Sequence, residues 1–466
     1  MEETKVEMLK ISTVIPAVPS RRQSMFLSNL DLFWMPVSKP QRLLFYRLLP
    51  TNEYSSVLDG LKKSLSSVLV HFYPFAGQLI IGQESGRPEI DCNDGGVEFV
   101  EASSNINFQD LEKEGFQRKP FFKSLVQIAH PFQQHETYNT PLLSIQVTGF
   151  ERGGICIGTA FHHVVADGNS FWHFMKSWAE CNRNLPISQI PHHSRTVFKR
   201  ENRAPVAISY KAYQGITGAH IFKFSRDELQ AEDGKTISTS GTGSQKDENS
   251  IWKLSDQKTE TIYKTFCFTE EIITALKERT RASTSLVAVA AQFWRCLVKA
   301  QKIAEEEPVY FGVLADCRGR MKPALPPTYF GNCLCLGVAK TTAGKLLNEK
   351  VCFAARVMEE VIRSCTAEEE VSNMIEWVEC GKRDLLSLLG ETQWQNGTNV
   401  IGSHRFPAYE IDYGWGRALN VQAAAMTEIG GMFVDGGNDG RSIHVSTRLP
   451  PHQMESLTRL LFLHQE

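Results

Sequence analysis

Two adjacent histidines, His162 and His163, stand just ahead of an aspartate-glycine pair, Asp167-Gly168. A neutral imidazole can take a proton from a hydroxyl or an amine, and its ordinary pKa near ~6.5 suits work at neutral pH. Glycine at 168 opens backbone conformations closed to other residues, and Asp167 can brace the turn through an ion pair or backbone hydrogen bonds. Asp167 therefore reads as a clamp and His163 as the reacting group. Residues alone leave two readings open, a general base and a satisfied turn histidine. Other chemistries have no support. His192-His193 lies in a loop and Cys333-x-Cys335 has no partner pair, so no metal-ligand spacing is present. No GxSxG elbow, phosphate-binding GxxxxGK[ST] or helix-opening GxGxxG occurs.

Rigid elements must position such a turn. Ile155, Ile157, Thr159 and Phe161 alternate with the small Cys156, Gly158 and Ala160, the period of a strand facing two environments. After the turn, Phe171, Phe174, Met175 and Trp178 share one helical face, and Ser170 is a suitable N-cap. Upstream, Leu27–Phe33 reads as a turn, Leu43–Arg47 as a strand and Ser55–Val70 as an amphipathic helix. Arg87–Val100 reads as a hairpin around Asn93-Asp94-Gly95-Gly96. Downstream, Ser283–Ala300 is an apolar helix, Val309–Asp316 a buried strand, and the C-terminal region a hairpin followed by a helix. Mixed strands and helices make the fold α/β in the α+β style.

Between these halves the polar stretch Glu232–Ser250 cannot bury enough apolar surface to offset its ordering entropy. We expect a first domain at 1–185, a crossover linker at 186–261 and a second domain at 262–466. His220–Gln230 and Tyr263–Ile272 each read as a short strand followed by an acidic helix start, and either could be the entry strand of the second domain, the other belonging to an insertion.

The chain has 466 residues, 42% hydrophobic and 22% charged, which suffices for two or three globular domains. Lys plus Arg total 50 against 52 for Asp plus Glu, a balance that argues against nucleic-acid or membrane partners. No apolar run long enough to span a bilayer appears, and the N-terminal residues do not resemble a secretory signal. Eleven scattered cysteines fit a reducing cytoplasm.

HHVVADG, with YFGNC at Tyr329–Cys333 and DYGWG at Asp412–Gly416, resembles the BAHD acyltransferases, plant enzymes that move an acyl group from coenzyme A to an alcohol or amine. LSNLDLF, LVHFYPFAGQL, AQFWR and ADCRGRMKPALPPTYFGNC resemble the same family, so the similarity covers about nine-tenths of the chain. It implies two chloramphenicol-acetyltransferase-like domains, each a mixed sheet flanked by helices, joined by a long crossover loop around a solvent channel.

The resemblance also assigns roles. His163 is implied as the base, with Asp167 and Gly168 supporting the turn and Asp167 directed at an arginine, Arg318 or Arg295. Asp412, Gly414, Trp415 and Gly416 form a structural loop in which Tyr413 replaces phenylalanine, leaving one hydroxyl to be satisfied. Arg318 and Asn332 are candidates for contact with coenzyme A. The expected enzyme is a monomeric cytoplasmic acyltransferase with acyl-CoA as co-substrate, no permanent cofactor and no metal. Hydroxycinnamoyl, malonyl, acetyl and benzoyl donors stay open, as do O- and N-acylation. Asn29–Pro40, Phe121–Gln133 and Asn396–Tyr409 are expected around the acceptor. The alternative is a fold-retaining protein that binds a metabolite or a protein partner without acyl transfer.

Overall fold

The computed structural model describes residues 6–20, 23–37, 39–127, 140–198, 208–226, 260–381, 385, 388, 396–424 and 430–462. In chain order the first half provides β1 (Val6–Val14), β2 (Gln23–Phe26), the one-turn helix α1 (Asn29–Leu32), β3 (Gln41–Arg47), α2 (Tyr54–Leu69) and β4 (Gln78–Ile81). It continues with β5 (Pro88–Cys92), β6 (Val97–Asn107), α3 (Phe108–Lys113), β7 (Leu143–Glu151), β8 (Gly154–Phe161) and α4 (Gly168–Asn182). The second half provides β9 (Ile208–Gln214), β10 (His220–Arg226), β11 (Ile262–Phe268), α5 (Glu270–Thr280), α6 (Ser285–Ala300), β12 (Pro308–Asp316) and β13 (Leu334–Thr342). Then come α7 (Ala343–Asn348), α8 (Val351–Cys365), α9 (Glu368–Gly381), β14 (Gly397–Ser403), β15 (Asn420–Gln422), β16 (Met432–Gly436), β17 (Ile443–Leu449) and α10 (Pro451–Phe462).

Two mixed sheets result. The first has six strands in the order β1-β6-β7-β8-β3-β15, and the second eight in the order β11-β17-β16-β14-β12-β13-β10-β9. A small third sheet, β2-β5-β4, flanks the first. Strand β8 is buried over its whole length because both of its faces meet apolar layers. Ile155, Ile157 and Phe161 enter the core under α2 and α4, while Cys156 and Ala160 enter a second layer with Phe108, Phe122 and Phe150. Each large apolar side chain so buried contributes roughly 1.5–3 kcal/mol, which fixes the strand that carries the histidine turn.

The halves are interleaved. Strand β15, from the C-terminal part of the chain, pairs with β3 of the first sheet, Val421 opposite Leu44. A separate core joins Leu30, Phe33 and Trp34, around α1, to Tyr329, Leu336 and Trp377. These contacts bring the YFGNC segment against the histidine turn.

The structure departs from several sequence expectations. Leu27–Phe33 is not a plain turn: Ser28 and Asp31 form a reciprocal capping box that starts α1. Residues 93–96 do not close a hairpin, since β5 pairs with β2 and β4 while β6 pairs with β1 and β7. Part of the interval expected as a linker is sheet. Strands β9 and β10 form an antiparallel hairpin on the edge of the second sheet, where Tyr210, Phe222 and Phe224 are buried. Both candidate entry strands belong to that sheet, β10 beside β13 and β11 beside β17, so neither is an insertion apart from it. Polar residues 232–250 lie outside the described residues.

Candidate active site

The turn begins where β8 ends. His162 N–H donates to Leu142 O at 2.8 Å and Val165 N–H to His162 O at 3.1 Å, closing the chain on itself. The His162 side chain is 1% exposed, and its Nδ1 accepts from the Val164 N–H at 3.3 Å. Burial, with Lys39 and His163 nearby, pushes its pKa down to about 3, so it stays neutral and serves the turn.

His163 has a different environment. Its Nδ1 lies 3.1 Å from Asn332 Oδ1. The Asn332 Nδ2 donates to His163 O at 2.8 Å and to Asp31 Oδ1 at 3.0 Å, two acceptors that settle which end of the amide is NH2. Asn332 Oδ1 is then an acceptor toward the ring, so neutral His163 carries its proton on Nδ1. The lone pair is left on Nε2, the arrangement a general base needs.

Support extends from Asn332 to a buried charge pair. Asp31 Oδ1 also accepts from Asn332 N–H at 2.8 Å, and Asp31 Oδ2 accepts from Arg195 Nε at 2.9 Å. Asp31 and Arg195 are 0% and 4% exposed. The order Arg195, Asp31, Asn332, His163 links a cation, a carboxylate, an amide and the imidazole, each orienting the next. Trp34 completes the surroundings, stacked on the imidazole with centroids 4.7 Å apart.

Asp167 is fully buried and bonds to Cys333 and Arg318 of the second half of the chain. Its Oδ1 accepts from Ser170 N–H at 3.0 Å, making Asp167 the N-cap of α4 in place of the expected Ser170. Its Oδ2 accepts from Cys333 N–H at 3.0 Å, and Arg318 Nη2 reaches both oxygens at 2.9 and 2.8 Å. The Ser170 hydroxyl instead bridges the halves, donating toward Gly331 O at 2.9 Å and accepting from Gly331 N–H at 3.1 Å.

Of the two arginines considered for Asp167, Arg318 makes the pair. Arg295 donates to the carbonyls of Leu346, Leu347 and Glu349 around the end of α7. Placing Arg318 and Asn332 on coenzyme A needs correction. They are 4% and 0% exposed, and Asp167 and Asp316 hold the first while Asp31 and His163 hold the second. Buried and held by these partners, they build the rear of the site.

Gly168 also has a different reason from the expected one. Its backbone is ordinary helix, but a Cβ there would lie 2.6 Å from Cζ of Phe406, so the position is small to admit that ring.

The DYGWG segment does not touch His163. Asp412 Oδ1 accepts from the N–H groups of Gly414 at 2.7 Å and Gly416 at 3.0 Å. Both glycines have positive φ, 105° and 93°, which makes glycine the low-strain residue for this tight loop. Tyr413 packs edge-on against Trp178 of α4 and Tyr46 of β3, and the Asn182 amide donates to Tyr413 O at 2.7 Å. Trp178 is ten residues along α4 from Gly168, a rise of about 15 Å. The loop fastens the C-terminal segment to the first half where β15 joins β3.

The Tyr413 hydroxyl is buried and, among the described residues, has no hydrogen-bond partner. Tyr413→Phe removes that unsatisfied group and is expected to stabilise the protein by about 1 kcal/mol. Thermal denaturation reads this as a melting temperature higher by about 2 °C; a lower one contradicts the assignment.

A cleft of about 700 Å³ is lined by Leu48, Leu49, Asn52, Ser104 and Gly154. Gly154 begins β8 and Phe161 ends it, so this cleft lies about 23 Å along the strand from the histidine turn and is not part of the site.

Sequence reading missed Asp31, Arg195, Trp34 and the bridging role of Ser170. Ser28-x-x-Asp31 was a legible capping signal, but its second use as an anchor for Asn332 was not.

Comparison with known proteins shows the family and the fold of the chain. A family model described as "Transferase family" matches residues 4–460. Omega-hydroxypalmitate O-feruloyl transferase of Arabidopsis thaliana is 28% identical over 455 residues, 95% of this chain and 89% of that protein. Shikimate O-hydroxycinnamoyltransferase of Nicotiana tabacum is 27% identical over 480 residues, 98% and 99% of the two chains. Among solved structures, vinorine synthase superposes with a TM-score of 0.70 at 19% identity, covering 98% of each chain, which shows the shared fold.

Proposed function

Because this chain belongs to the Transferase family of BAHD acyltransferases, we propose that it transfers an acyl group from coenzyme A to a hydroxyl or amine of a small plant metabolite, with His163 as general base. The observation that carries this reading is the His163 imidazole itself, with Nδ1 committed to Asn332 and Nε2 left to accept a proton. Relatives named for feruloyl, hydroxycinnamoyl and malonyl transfer support the same chemistry.

His163 Nε2 takes the acceptor's proton as its oxygen or nitrogen adds to the thioester carbonyl. The tetrahedral intermediate collapses, the thiolate leaves, and the imidazolium returns the proton to sulfur. Asn332, backed by Asp31 and Arg195, holds the ring while it is charged. General-base action supplies about 10²–10⁴ in rate, and positioning supplies much of the rest. The thioester provides the driving force, so the mechanism asks for no resident cofactor.

Trp34 in 29–40 reaches the imidazole, and Phe406 in 396–409 packs on Gly168, which supports both segments as acceptor-side walls. The second expected segment falls partly outside the described residues. No helix among the described residues is long and apolar enough to cross a membrane. The buried Cys317 and Cys333 thiols, 3.3 Å apart and unlinked, fit a reducing compartment, and a cytoplasmic monomer is the form we expect.

Incubation with hydroxycinnamoyl-, malonyl-, acetyl- and benzoyl-CoA against phenolic, aliphatic and amine acceptors tests the reading. An acylated product by mass spectrometry is expected for at least one pair, and no product from any pair counts against it. The pH profile offers a second check. Burial lowers the His163 pKa from its ordinary 6.5 more than its own backbone, Asp167, Asn332 and Asp31 restore it. A lowered pKa keeps the base form as pH falls, so the acid limb of kcat/KM is expected to have its midpoint below 6.5. A midpoint at or above that value contradicts the assignment.

A further inference from the structure

One hydrogen-bond donor beside the imidazole has no acceptor among the described residues. Trp34, just after α1, stacks on His163 with planes only 15° from parallel. The residue is 3% exposed, and among the described residues nothing accepts its Nε1–H. An indole nitrogen can only donate, so burying it without an acceptor is unfavourable and calls for a reason. Trp294 is also buried without an acceptor among the described residues, but it stands against Phe311 in the second core, away from His163. At Trp34 the unused donor and the base share one stack.

Acyl transfer creates a demand at that place. When the acceptor adds to the thioester, the carbonyl oxygen becomes an oxyanion, best met by a donor about 2.7–3.1 Å away that is already in position. Among the other donors, Asn332 Nδ2 is held by His163 O and Asp31, Arg195 Nε by Asp31, and Arg318 Nη1 and Nη2 by Asp316 and Asp167. Arg195 Nη2 and Arg318 Nε are also buried without an acceptor among the described residues, but neither belongs to a ring stacked on His163. The indole lies to one side of the imidazole plane in which Nε2 meets the acceptor. A tetrahedral carbon formed at Nε2 can direct its oxygen out of that plane toward the indole.

We propose that the Trp34 Nε1–H is an oxyanion donor in the acyl transfer. The inference rests on His163 being the base. As the acceptor forms its bond to the carbonyl carbon, its proton passes to Nε2 and the carbonyl π pair moves onto oxygen, where Trp34 donates. Return of that pair breaks the carbon–sulfur bond, and the thiolate takes the proton back from His163.

Trp34→Phe keeps an aromatic ring on the imidazole and removes only the N–H. It is expected to lower kcat by about 10²-fold, with KM for acyl-CoA and the acid limb of the pH profile unchanged, since the stack around His163 persists. Trp34→His, which restores a ring N–H, is expected to recover about tenfold of that loss. Thermal denaturation reports whether each variant is folded; if Trp34→Phe is not, a folded but inactive Trp34→His protein overturns the proposal and an active one supports it. A folded Trp34→Phe enzyme with wild-type kcat removes Trp34 from the chemistry while His163 stands. If the wild-type protein transfers no acyl group to any acceptor, both readings fall together.

Discussion

His163→Ala is expected to lower kcat/KM for acyl transfer by about 10²–10⁴-fold, the usual contribution of a positioned general base. The loss should appear chiefly in kcat, because the imidazole acts on the acceptor's proton during bond formation and not on ground-state binding of acyl-CoA. The fold should survive. The ring is half-buried, its main partner Asn332 keeps its bonds to Asp31 and the His163 carbonyl, and the turn's own backbone bonds involve His162 and Leu142. Thiol release measured at saturating acyl-CoA separates the two parameters.

Asp167→Asn is expected to act through structure. Asp167 is 0% exposed and its two oxygens receive only donors: Arg318 Nη2, Ser170 N–H and Cys333 N–H. Asparagine must turn an NH2 toward one of these and leaves the buried Arg318 guanidinium with the half-exposed Asp316 as its remaining carboxylate partner among the described residues. Breaking a buried pair in this way costs about 3–5 kcal/mol, a large part of a typical total of about 5–15. The YFGNC segment, tied to Asp167 through Cys333 N–H, should shift with it, and Asn332 rides on that segment. An activity loss of about 10²-fold is therefore expected even in the folded fraction. Equal activity and equal melting temperature in Asp167→Asn would remove the clamp role.

The histidine turn was readable because its signals are local. Alternation in Ile155–Phe161 and the helical face from Phe171 to Trp178 are short-range patterns, and the strand and helix appear where those patterns lie. The choice of N-cap was not readable: Asp167 and Ser170 are both good caps, and distant Arg318 and Cys333 select the first. Nor was Asp31, whose bond to Asn332 spans 301 positions and whose pair with Arg195 spans 164. Strand β15 has three residues, too few for any period, and is a strand because β3 offers an open edge. Residues 93–96 have the composition of a hairpin turn, but the flanking strands find better partners in two different sheets. Composition gave no sign of β9, which pairs in an edge hairpin with β10 inside the interval read as linker, although the strand at His220 was legible there. In each case the local signal was ambiguous and a tertiary partner decided it.

The most direct test of direct transfer by a histidine base is free-thiol release from acyl-CoA, followed with and without acceptor, in wild-type and His163→Ala protein side by side. Wild-type release should depend on acceptor and match acylated product one for one, with no acyl group retained on the protein, and His163→Ala should abolish the acceptor-dependent part. Acceptor-dependent release that persists undiminished in His163→Ala would contradict the account.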